Sequence, residues 1–254
     1  MASAEPLTAC TDPNLVPSRL DEEPAHDFSV VVVSGGWPED LERLAASLAR
    51  GCAGQDYELV VVANAAPALA EAAAHLAAEG AVPVRGLRFT QHVGYAAAAN
   101  AGIAQALGRT VVLALTSVEA TGDFLEPLAG ELAASAVGVA GPWGLTTRDL
   151  RTFEEQTSGP VHAMQGYCMA FRRADLARVG LLDPGYKFYR NADIDWSLRW
   201  LDHGFEIRAL DLPLLRHVHR EWEELEPAQR EKKSRDNFAR LLRRWRDRTD
   251  LVGP

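Results

Sequence analysis

The chain has 254 residues, of which 47% are hydrophobic and 24% are charged, so it can form a globular protein with a substantial core. Its formal net charge of −9 argues against a general nucleic-acid-binding protein, which needs a basic surface. Cys10, Cys52 and Cys168 are too few and too scattered for a disulfide framework, and this favours a reducing cytoplasm. No apolar run reaches the roughly 18 to 20 residues that a membrane span needs.

The N-terminal segment is rich in proline and acidic residues, and it has neither a basic start nor a continuous apolar stretch. This composition predicts a flexible tail over residues 1–27 and not a signal peptide. Folded structure is expected to begin near Phe28.

From Phe28 onward, strand and helix patterns alternate. The apolar, β-branched run FSVVVV is followed by a turn and by Leu41, Leu44 and Leu48 at helical spacing. The runs YELVVV and TVVLAL repeat the strand pattern, with Ala-rich helical stretches between them and Gly80 as the stop of one helix. Continuous apolar strands are typical of sheets covered on both faces, so the sequence predicts a three-layer α/β fold with a mostly parallel sheet.

The second half departs from strict alternation. Its patterns predict strands in VGVAGPWGL and VHAMQGYCMAFRR, a short helix in RADLARVG, and a helix in DIDWSLRWLDHG that Gly204 ends. A last strand is expected within EIRALDLPLLRHVH.

The C-terminal segment, residues 221–254, places apolar residues at helical spacing among arginines (Phe238, Leu241, Leu242 and Trp245). An amphipathic helix of this kind either lies on anionic lipid or docks on the domain itself or on a second subunit.

Four segments, in this order, resemble the inverting family-2 glycosyltransferases. The opening FSVVVVSGGWPEDLERLAASL is similar to their first strand and helix, and HVGYAAAANAGIAQALG is similar to their N-x-G-x-x-x-A-x-N-x-G loop and helix. The block from GYCMAFRRADLARVGLLD to NADIDWSLRWLDHG resembles their acceptor side, and LLRHVHR stands where they often place a metal-binding histidine. The resemblance implies the GT-A fold, with a domain over residues 28–220 divided into a nucleotide-binding half, 28–120, and an acceptor half, 121–220.

The resemblance also implies roles for individual residues. It assigns donor binding to Ser34, Gly35, Asn64, Gly94, Asn100 and Ser117. It assigns acceptor binding to Gln165, Gly166 and Trp196, and a metal site to Glu119, His217 and His219.

Asp193 falls where the family has the aspartate of its catalytic Glu-Asp pair, with Ala192 in place of the glutamate. An inverting transfer needs a base to take the proton from the acceptor hydroxyl, so Asp193 is the predicted catalytic base. Asp195, two positions on, is the predicted supporting acid, which holds a helix N-terminus or the acceptor. The alternative for both carboxylates is capping of a helix and compensation of its dipole.

Two acidic residues of the family's donor side are absent. Ala63 stands where an aspartate usually binds the nucleotide base, and Ser117 replaces the first acid of the metal-binding pair, with Glu119 at the second. A divalent cation, Mg²⁺ or Mn²⁺, could still be held by Glu119 and a histidine, or arginine and lysine side chains could stabilise the diphosphate instead. Packed or exposed histidines without a metal are an equal alternative.

The resemblance therefore implies a cytoplasmic protein, soluble or peripherally bound to a membrane, that transfers a sugar from a nucleotide-diphosphate donor with inversion. The acceptor is a saccharide, a lipid-linked molecule or a small molecule, and the C-terminal helix is a candidate membrane or homodimer contact. The alternative is a non-catalytic scaffold or a sugar- or nucleotide-binding partner subunit of the same fold. The missing donor-side acids favour reduced or unusual donor use, whereas the retained Asp193 and Asp195 favour some activity.

Overall fold

The computed structural model describes residues 8–252, which form a mostly parallel sheet covered by helices. The helices are α1 (Pro38–Gly51), α2 (Pro67–Glu79), α3 (Tyr95–Gln105), α4 (Leu125–Leu132), α5 (Leu176–Val179), α6 (Ala192–Asp202), α7 (Arg220–Glu223) and α8 (Pro227–Trp245). The strands are β1 (Thr8–Cys10), β2 (His26–Ser34), β3 (Tyr57–Asn64), β4 (Val84–Phe89), β5 (Gly108–Ala114), β6 (Val118–Ala120), β7 (Val137–Gly141), β8 (Gly144–Thr146), β9 (Glu154–Gln156), β10 (Gly159–Val161), β11 (Ala163–Met164), β12 (Cys168–Arg172), β13 (Glu206–Ala209) and β14 (Leu214–Arg216).

Within the described chain, the main sheet has nine strands in the order β1-β4-β3-β2-β5-β12-β7-β13-β10. Neighbouring strands pair in parallel from β1 to β5 and between β7 and β13, whereas β12 and β10 run antiparallel to their neighbours. The remaining strands form a three-stranded sheet, β11-β8-β9, and the pair β14-β6. The predicted three-layer α/β fold is confirmed.

Alternate residues of β2 enter opposite faces of the sheet, as the two-residue period of a strand requires. Val30 and Val32 pack in a cluster with residues of α1 and α2, whereas Val31 and Val33 pack with residues of α3 and α6. Helix α3 lies very close to the sheet, since a Cβ added to Gly102 would be 2.7 Å from a methyl carbon of Val31. The apolar run of the sequence is therefore buried on both faces.

The predicted flexible tail over residues 1–27 is wrong for residues 8–27. Strand β1 adds to the edge of the main sheet and pairs in parallel with β4, with Thr8 opposite Leu87 and Cys10 opposite Phe89. Further along, the buried side chain of Arg173 donates to the carbonyl oxygen of Glu22, 2.5 Å away. The polar composition of residues 8–27 did not predict this ordered structure, because the segment is ordered by its contacts with the domain and not by burial of its own apolar residues. Residues 1–7 lie outside the described residues.

The predicted single last strand is also wrong. The chain forms β13, which joins the main sheet beside β7, and then β14, which pairs with β6 elsewhere. Pro213 lies just before β14 and has no N–H to donate to a sheet ladder. The chain therefore leaves the main sheet at this point and carries the residues after 216 towards the β6 segment.

Helix α8 docks on the domain through its apolar stripe. Leu241 and Trp245 are buried in a cluster with Ile194 and Leu198 of α6. This packing matches the alternative in which the C-terminal helix binds the domain itself. Among residues 8–252, no helix is long and apolar enough to cross a membrane.

A buried carboxylate reinforces this contact between α6 and α8. Asp195 is 2% exposed, and its Oδ1 accepts a hydrogen bond from the Trp245 indole N–H at 2.8 Å. Its Oδ2 lies 3.4 Å from guanidinium nitrogens of both Arg199 and Arg244. One charge from α6 is thus neutralised by groups from both helices.

We expect Asp195→Ala to lower the free energy of unfolding by about 3 kcal/mol, because it leaves the half-buried Arg199 guanidinium without its charge partner. The measurement is urea denaturation followed by circular dichroism. The matched control is Asp247→Ala, whose carboxylate is 85% exposed beside Arg246. Equal stabilities for the two variants would show that Asp195 does not hold α8 in place.

Candidate functional site

A cavity of about 700 Å³ opens at the carboxyl edge of the main sheet. Leu115, which follows β5, and Gly166 and Tyr167, which precede β12, form part of its lining. Because β12 runs antiparallel to β5, its start lies at the same edge as the end of β5. The cavity therefore lies where the parallel arrangement predicts a ligand site.

Asp193 lies in the first turn of α6 and lines this cavity. Its Oδ2 accepts a hydrogen bond from the Gly166 backbone N–H at 2.8 Å, and its Oδ1 accepts one from the Ile194 N–H at 2.9 Å. A Cβ added to Gly166 would lie 3.4 Å from Asp193 Oδ2, which is van der Waals contact, so Gly166 lies directly against this carboxylate.

Burial raises the pKa of Asp193 above the ordinary value for an aspartate. The backbone hydrogen bonds from Gly166 and Ile194, and the positive charge of Arg190, act in the opposite direction. A carboxylate with a raised pKa is a stronger base than an exposed one, provided that it is ionised at the working pH. The geometry and electrostatics at Asp193 therefore suit proton transfer.

Asp195 lies on the other side of α6 and does not line the cavity. Residues two apart on an α-helix are separated by about 200° around its axis. The carboxylate binds Trp245, Arg199 and Arg244, as described above, so the predicted role in holding an acceptor is wrong. Its partners come from α6 and α8, and the second helix could not be placed from the local sequence.

Trp196, a predicted acceptor-binding residue, is fully buried in the core. Its indole N–H donates to the carbonyl oxygen of Gly180 at 3.0 Å, and its ring packs edge to face against Phe171, with 4.9 Å between ring centroids. The prediction is wrong because this face of α6 packs on the sheet.

Gln165 lines the cavity, but its amide is bound to neighbouring side chains. Its Nε2 donates to Glu155 Oε2 at 2.6 Å, and its Oε1 lies 3.4 Å from a nitrogen of Arg216. Arg216 also pairs with Glu155 at 2.8 Å. These three residues form a polar rim and hold the start of the Gly166 turn.

The loops of the nucleotide-binding half have local hydrogen bonds that fix their shape. Ser34 Oγ donates to the carbonyl oxygen of Gly36 at 2.7 Å, and the Asn64 side-chain oxygen accepts from the Val93 N–H at 3.0 Å. At Gly35, an added Cβ would meet only the Asn64 carbonyl oxygen at 3.8 Å, so crowding does not demand glycine there. Gly94 has a φ of +94°, a conformation that favours glycine.

Asn100, predicted to bind the donor, forms a structural clamp. Its Nδ2 donates to the carbonyl oxygen of Leu182 at 2.8 Å, and its Oδ1 accepts from the Leu182 N–H at 2.9 Å. The side chain therefore ties α3 to the loop after α5, and each end of its amide has one backbone partner. Donor binding by Asn100 stays a prediction.

The predicted metal ligands are only partly brought together. Glu119 Oε2 lies 2.8 Å from the His217 Nε2, whereas the ring of His219 lies against Tyr189 with 4.3 Å between ring centroids. Burial lowers the pKa of His219 to about 4, and its Nε2 has no hydrogen-bond partner. The buried hydroxyl of Ser117 also has none.

The described part of the chain contains no group of three or more histidine, cysteine, aspartate or glutamate residues arranged to hold a metal ion. Glu119 and His217 supply two donors, and Arg43 and Arg50 each lie 3.9 Å from the Glu119 carboxylate. Two donors fit a cation that takes its other ligands from substrate phosphates and water, which is common for Mg²⁺, but not a cation enclosed by protein alone.

The segment around α7 contacts the loop after β2 and the start of α1. The Trp37 indole N–H donates to Glu224 at 2.9 Å, and Arg220 lies 3.4 Å from Asp40 at the start of α1. Trp222 stacks on Phe188, with ring centroids 6.3 Å apart. The chain after β14 therefore crosses the carboxyl edge of the sheet between the two halves.

Sequence reasoning missed most of the cavity lining. The lining also contains three tyrosines, two phenylalanines and three arginines, and α8 contributes Glu231, Ser234, Arg235 and Phe238 to it. The arginine-rich pattern of α8 was the signal in the sequence, but only the docking of α8 shows which residues face the cavity. The aromatic and basic lining residues are Tyr95, Tyr167, Tyr189, Phe153, Phe238, Arg151, Arg190 and Arg235.

The sequence model of the family described as glycosyl transferase family 2 matches residues 29–194, which is more than half of the chain. The chain belongs to glycosyl transferase family 2. The match includes most of β2, the loop before α3, and Asp193, and it ends two residues before Trp196. Helix α8, with its part of the cavity wall, lies beyond the matched region. No curated protein sequence matches the chain.

Solved structures share the fold of this family member at low sequence identity. GalNAc-T7 with UDP, GalNAc and Mn²⁺ is 16% identical, with a TM-score of 0.71, and the match covers 91% of this chain and 50% of that one. The mannosyltransferase PcManGT from Pyrobaculum calidifontis, in complex with GDP-Man and Mn²⁺, is 19% identical, with a TM-score of 0.59 and coverage of 81% and 58%. S. aureus TarS 1-349 in complex with UDP is 16% identical, with a TM-score of 0.56 and coverage of 85% and 72%.

These likenesses confirm the GT-A glycosyltransferase fold of the chain. The chain spans only 50% and 58% of the length of the first two structures. The substrates named for those proteins therefore belong to them.

We expect Asn100→Ala to lower the free energy of unfolding by about 2 kcal/mol, because it removes two hydrogen bonds to the Leu182 backbone. Nucleotide affinity of the folded variant, measured by calorimetric titration, tests the predicted donor binding separately. Gln105→Ala is the control, since Gln105 makes a single side-chain bond from α3, to Pro17. Much weaker nucleotide binding by a folded Asn100→Ala variant would support donor binding by Asn100, and unchanged binding would remove it from the donor site.

Proposed function

We propose that this protein transfers a sugar from a nucleotide-diphosphate donor to an acceptor hydroxyl with inversion, and that Asp193 is the general base. Membership of glycosyl transferase family 2 supports the reaction class. The observation that carries the assignment is the partly buried Asp193 carboxylate, held by the Gly166 N–H in the wall of a large cavity at the sheet's carboxyl edge.

In this reaction the acceptor hydroxyl enters the cavity and gives its proton to the Asp193 carboxylate. Its oxygen attacks the anomeric carbon of the donor sugar from the side opposite the diphosphate. The new bond forms as the bond from the anomeric carbon to the diphosphate oxygen breaks, so the nucleotide diphosphate leaves with that electron pair. Gly166 donates a backbone hydrogen bond to one oxygen of Asp193, and Ile194 donates one to the other. Lone pairs therefore remain on the carboxylate for a hydrogen bond from the hydroxyl group of the sugar acceptor.

The donor would lie over the ends of β2, β3 and β5, where Ser34, Gly35, Asn64 and Ser117 are candidate contacts. Gly94 shapes the loop beside them through its positive φ. Base recognition must differ from the family pattern, because Ala63 is completely buried in the apolar cluster beneath α1 and α2. We propose that backbone groups of these loops contact the nucleotide.

We further propose that Glu119 and His217 contact a Mg²⁺ or Mn²⁺ ion that is also bound by the donor diphosphate. Such an ion would neutralise charge on the leaving group. His219 remains a neutral side chain between the aromatic rings of Tyr167 and Tyr189, since its pKa is lowered to about 4. It can therefore accept a hydrogen bond at neutral pH.

The docking of α8 on α6 supports a role for this helix in completing the acceptor cavity. In the proposed function it is a wall of the site, and membrane or homodimer contact is not needed to explain its amphipathic pattern. The acceptor, whether a saccharide, a lipid-linked molecule or a small molecule, enters between α8 and the Gly166 turn. The composition favours a cytoplasmic location.

Asp193→Asn should lower kcat by at least about a hundredfold, because an amide cannot take the proton from the acceptor. The measurement is nucleotide diphosphate release in the presence of candidate acceptors. Asp211→Asn, a change at an exposed carboxylate in the loop between β13 and β14, is the matched control. Full activity in a folded Asp193→Asn variant would remove Asp193 from the reaction.

The pH dependence provides a second test of Asp193. A base must be ionised, and burial raises the pKa of Asp193, so kcat should fall as the pH falls through a value above the ordinary aspartate range. The measurement is a pH profile of kcat between pH 4 and pH 8, with folding monitored by circular dichroism. A profile that is flat down to the ordinary aspartate pKa, about 4, would contradict a raised pKa at the base.

Donor binding can be measured before an acceptor is known. We expect UDP or GDP to raise the midpoint of thermal unfolding, since a ligand of the folded state stabilises it by mass action. The shift should grow with Mn²⁺, and Glu119→Gln should remove this additional shift. No shift with any nucleotide would favour the alternative, a non-catalytic scaffold of the same fold.

A further inference from the structure

We propose that the acceptor carries an anionic group, a phosphate or a carboxylate, and that the guanidinium groups of Arg151, Arg190 and Arg235 bind it. This inference rests on the proposed function, because it names the class of acceptor for the same cavity. The one observation behind it is the convergence of these three arginines on the wall that also holds Asp193.

The three arginines reach the cavity from separate parts of the chain. Arg151 follows β8, Arg190 lies just before α6, and Arg235 lies in α8. No local basic run in the sequence explains this arrangement, since the residues are brought together only by the docking of α8 and by the small β11-β8-β9 sheet. The protein as a whole has a net charge of −9, so a wall with three cations is a marked local departure.

Among the described residues, none of the three guanidinium groups forms an ion pair with a buried carboxylate. Within residues 8–252, neither Arg151 nor Arg190 has a carboxylate within ion-pair distance, and Arg190 stacks on Trp222 with 4.5 Å from its guanidinium carbon to the ring centroid. Arg235 lies 3.3 Å from Glu231 in a pair whose side chains are 67% and 77% exposed. Exposed pairs of this kind contribute little and can exchange partners.

The opposing charges in the cavity wall are Asp193 and Glu231. Three arginines against two carboxylates leave a net positive wall, and the wall becomes more positive when Asp193 takes up a proton. A guanidinium group presents paired N–H donors that match the oxygens of a phosphate or carboxylate. An anionic substituent on the acceptor would therefore be held while its hydroxyl lies at Asp193.

The aromatic side chains in the cavity lining favour an acceptor that also contains a sugar ring. Tyr95, Tyr167, Tyr189, Phe153 and Phe238 supply apolar faces around the same cavity. Sugar rings bind such faces through their C–H groups, and arginines supply the charged contact. The cavity is thus suited to a phosphorylated saccharide or a uronic-acid saccharide more than to a neutral one.

The test is a titration of the full chain with matched monosaccharides: glucose, glucose 6-phosphate and glucuronate. Binding is measured by isothermal calorimetry, with a saturating nucleotide diphosphate present so that the phosphate probe cannot occupy the donor position. We expect at least one anionic probe to bind about tenfold more tightly than glucose, and added salt to weaken it. Comparison of the glucose 6-phosphate titration with the glucuronate titration shows which anion the site prefers.

Arg151→Gln and Arg190→Gln should each weaken the preferred anionic probe by about fivefold to tenfold and leave glucose binding unchanged. Arg109→Gln is the matched control, since Arg109 is 69% exposed beside Asp27 and lies outside the cavity lining. Equal binding of all three probes, or variants that bind the anionic probe as tightly as the control, would overturn the proposal.

Nucleotide binding by the same variants separates this inference from the proposed function. If nucleotides bind but the anionic probes show no advantage over glucose, the acceptor inference fails and glycosyl transfer stands. If no nucleotide binds, the probes are titrated without it. An anion preference that depends on Arg151 and Arg190 would then support the site as an anion-binding cavity, while the transferase proposal fails.

Discussion

The cavity wall of this structure depends on one buried carboxylate, that of Asp195. A charge placed in a protein interior is tolerated only when partners neutralise it, and Asp195 has partners in both α6 and α8. Because α8 supplies Arg235 and Phe238 to the cavity wall, the ion pairs behind α6 also position groups in front of it. The contact between Asp195 and Trp245, which are 50 residues apart in the sequence, therefore helps to set the shape of the cavity.

Asp193 and Asp195 show how one helix places two identical side chains in opposite chemical settings. Asp195 is surrounded by cations and an indole N–H, so its charge is satisfied by the fold. Asp193 accepts hydrogen bonds from backbone N–H groups, and the positive charge of Arg190 lowers its pKa, but it makes no direct ion pair among the described residues. Its desolvation is therefore only partly compensated, and its pKa is raised. The difference follows from the rotation of about 200° between positions two apart on a helix.

The fold could be predicted from the sequence because the spacing of the valines of β2 and of the leucines of α1 indicates which side chains are buried. Through the family resemblance, sequence reasoning predicted Asp193 as the base, but it could not show that Asp193 faces a cavity, which only the structure places there. It did not show what Asp195, Trp196 and Asn100 contact, because each of these side chains is held by a distant partner: Trp245, Phe171 and Leu182. A short motif gives the residue types along a helix, but the direction that each one faces depends on segments that pack later in the chain.

At position 63, the alanine that replaces the family's aspartate is itself part of the packed core. Ala63 lies in an apolar cluster, and an aspartate there would lose water without gaining a partner, which costs on the order of 2–7 kcal/mol and favours the protonated, neutral form of the carboxyl group. Restoring the family residue at 63 alone would therefore unfold or distort β3 before it could bind a nucleotide base. A failed rescue by Ala63→Asp would report on packing and not on catalysis. Direct nucleotide binding by the unaltered chain is the observation that separates an altered donor pocket from a lost one.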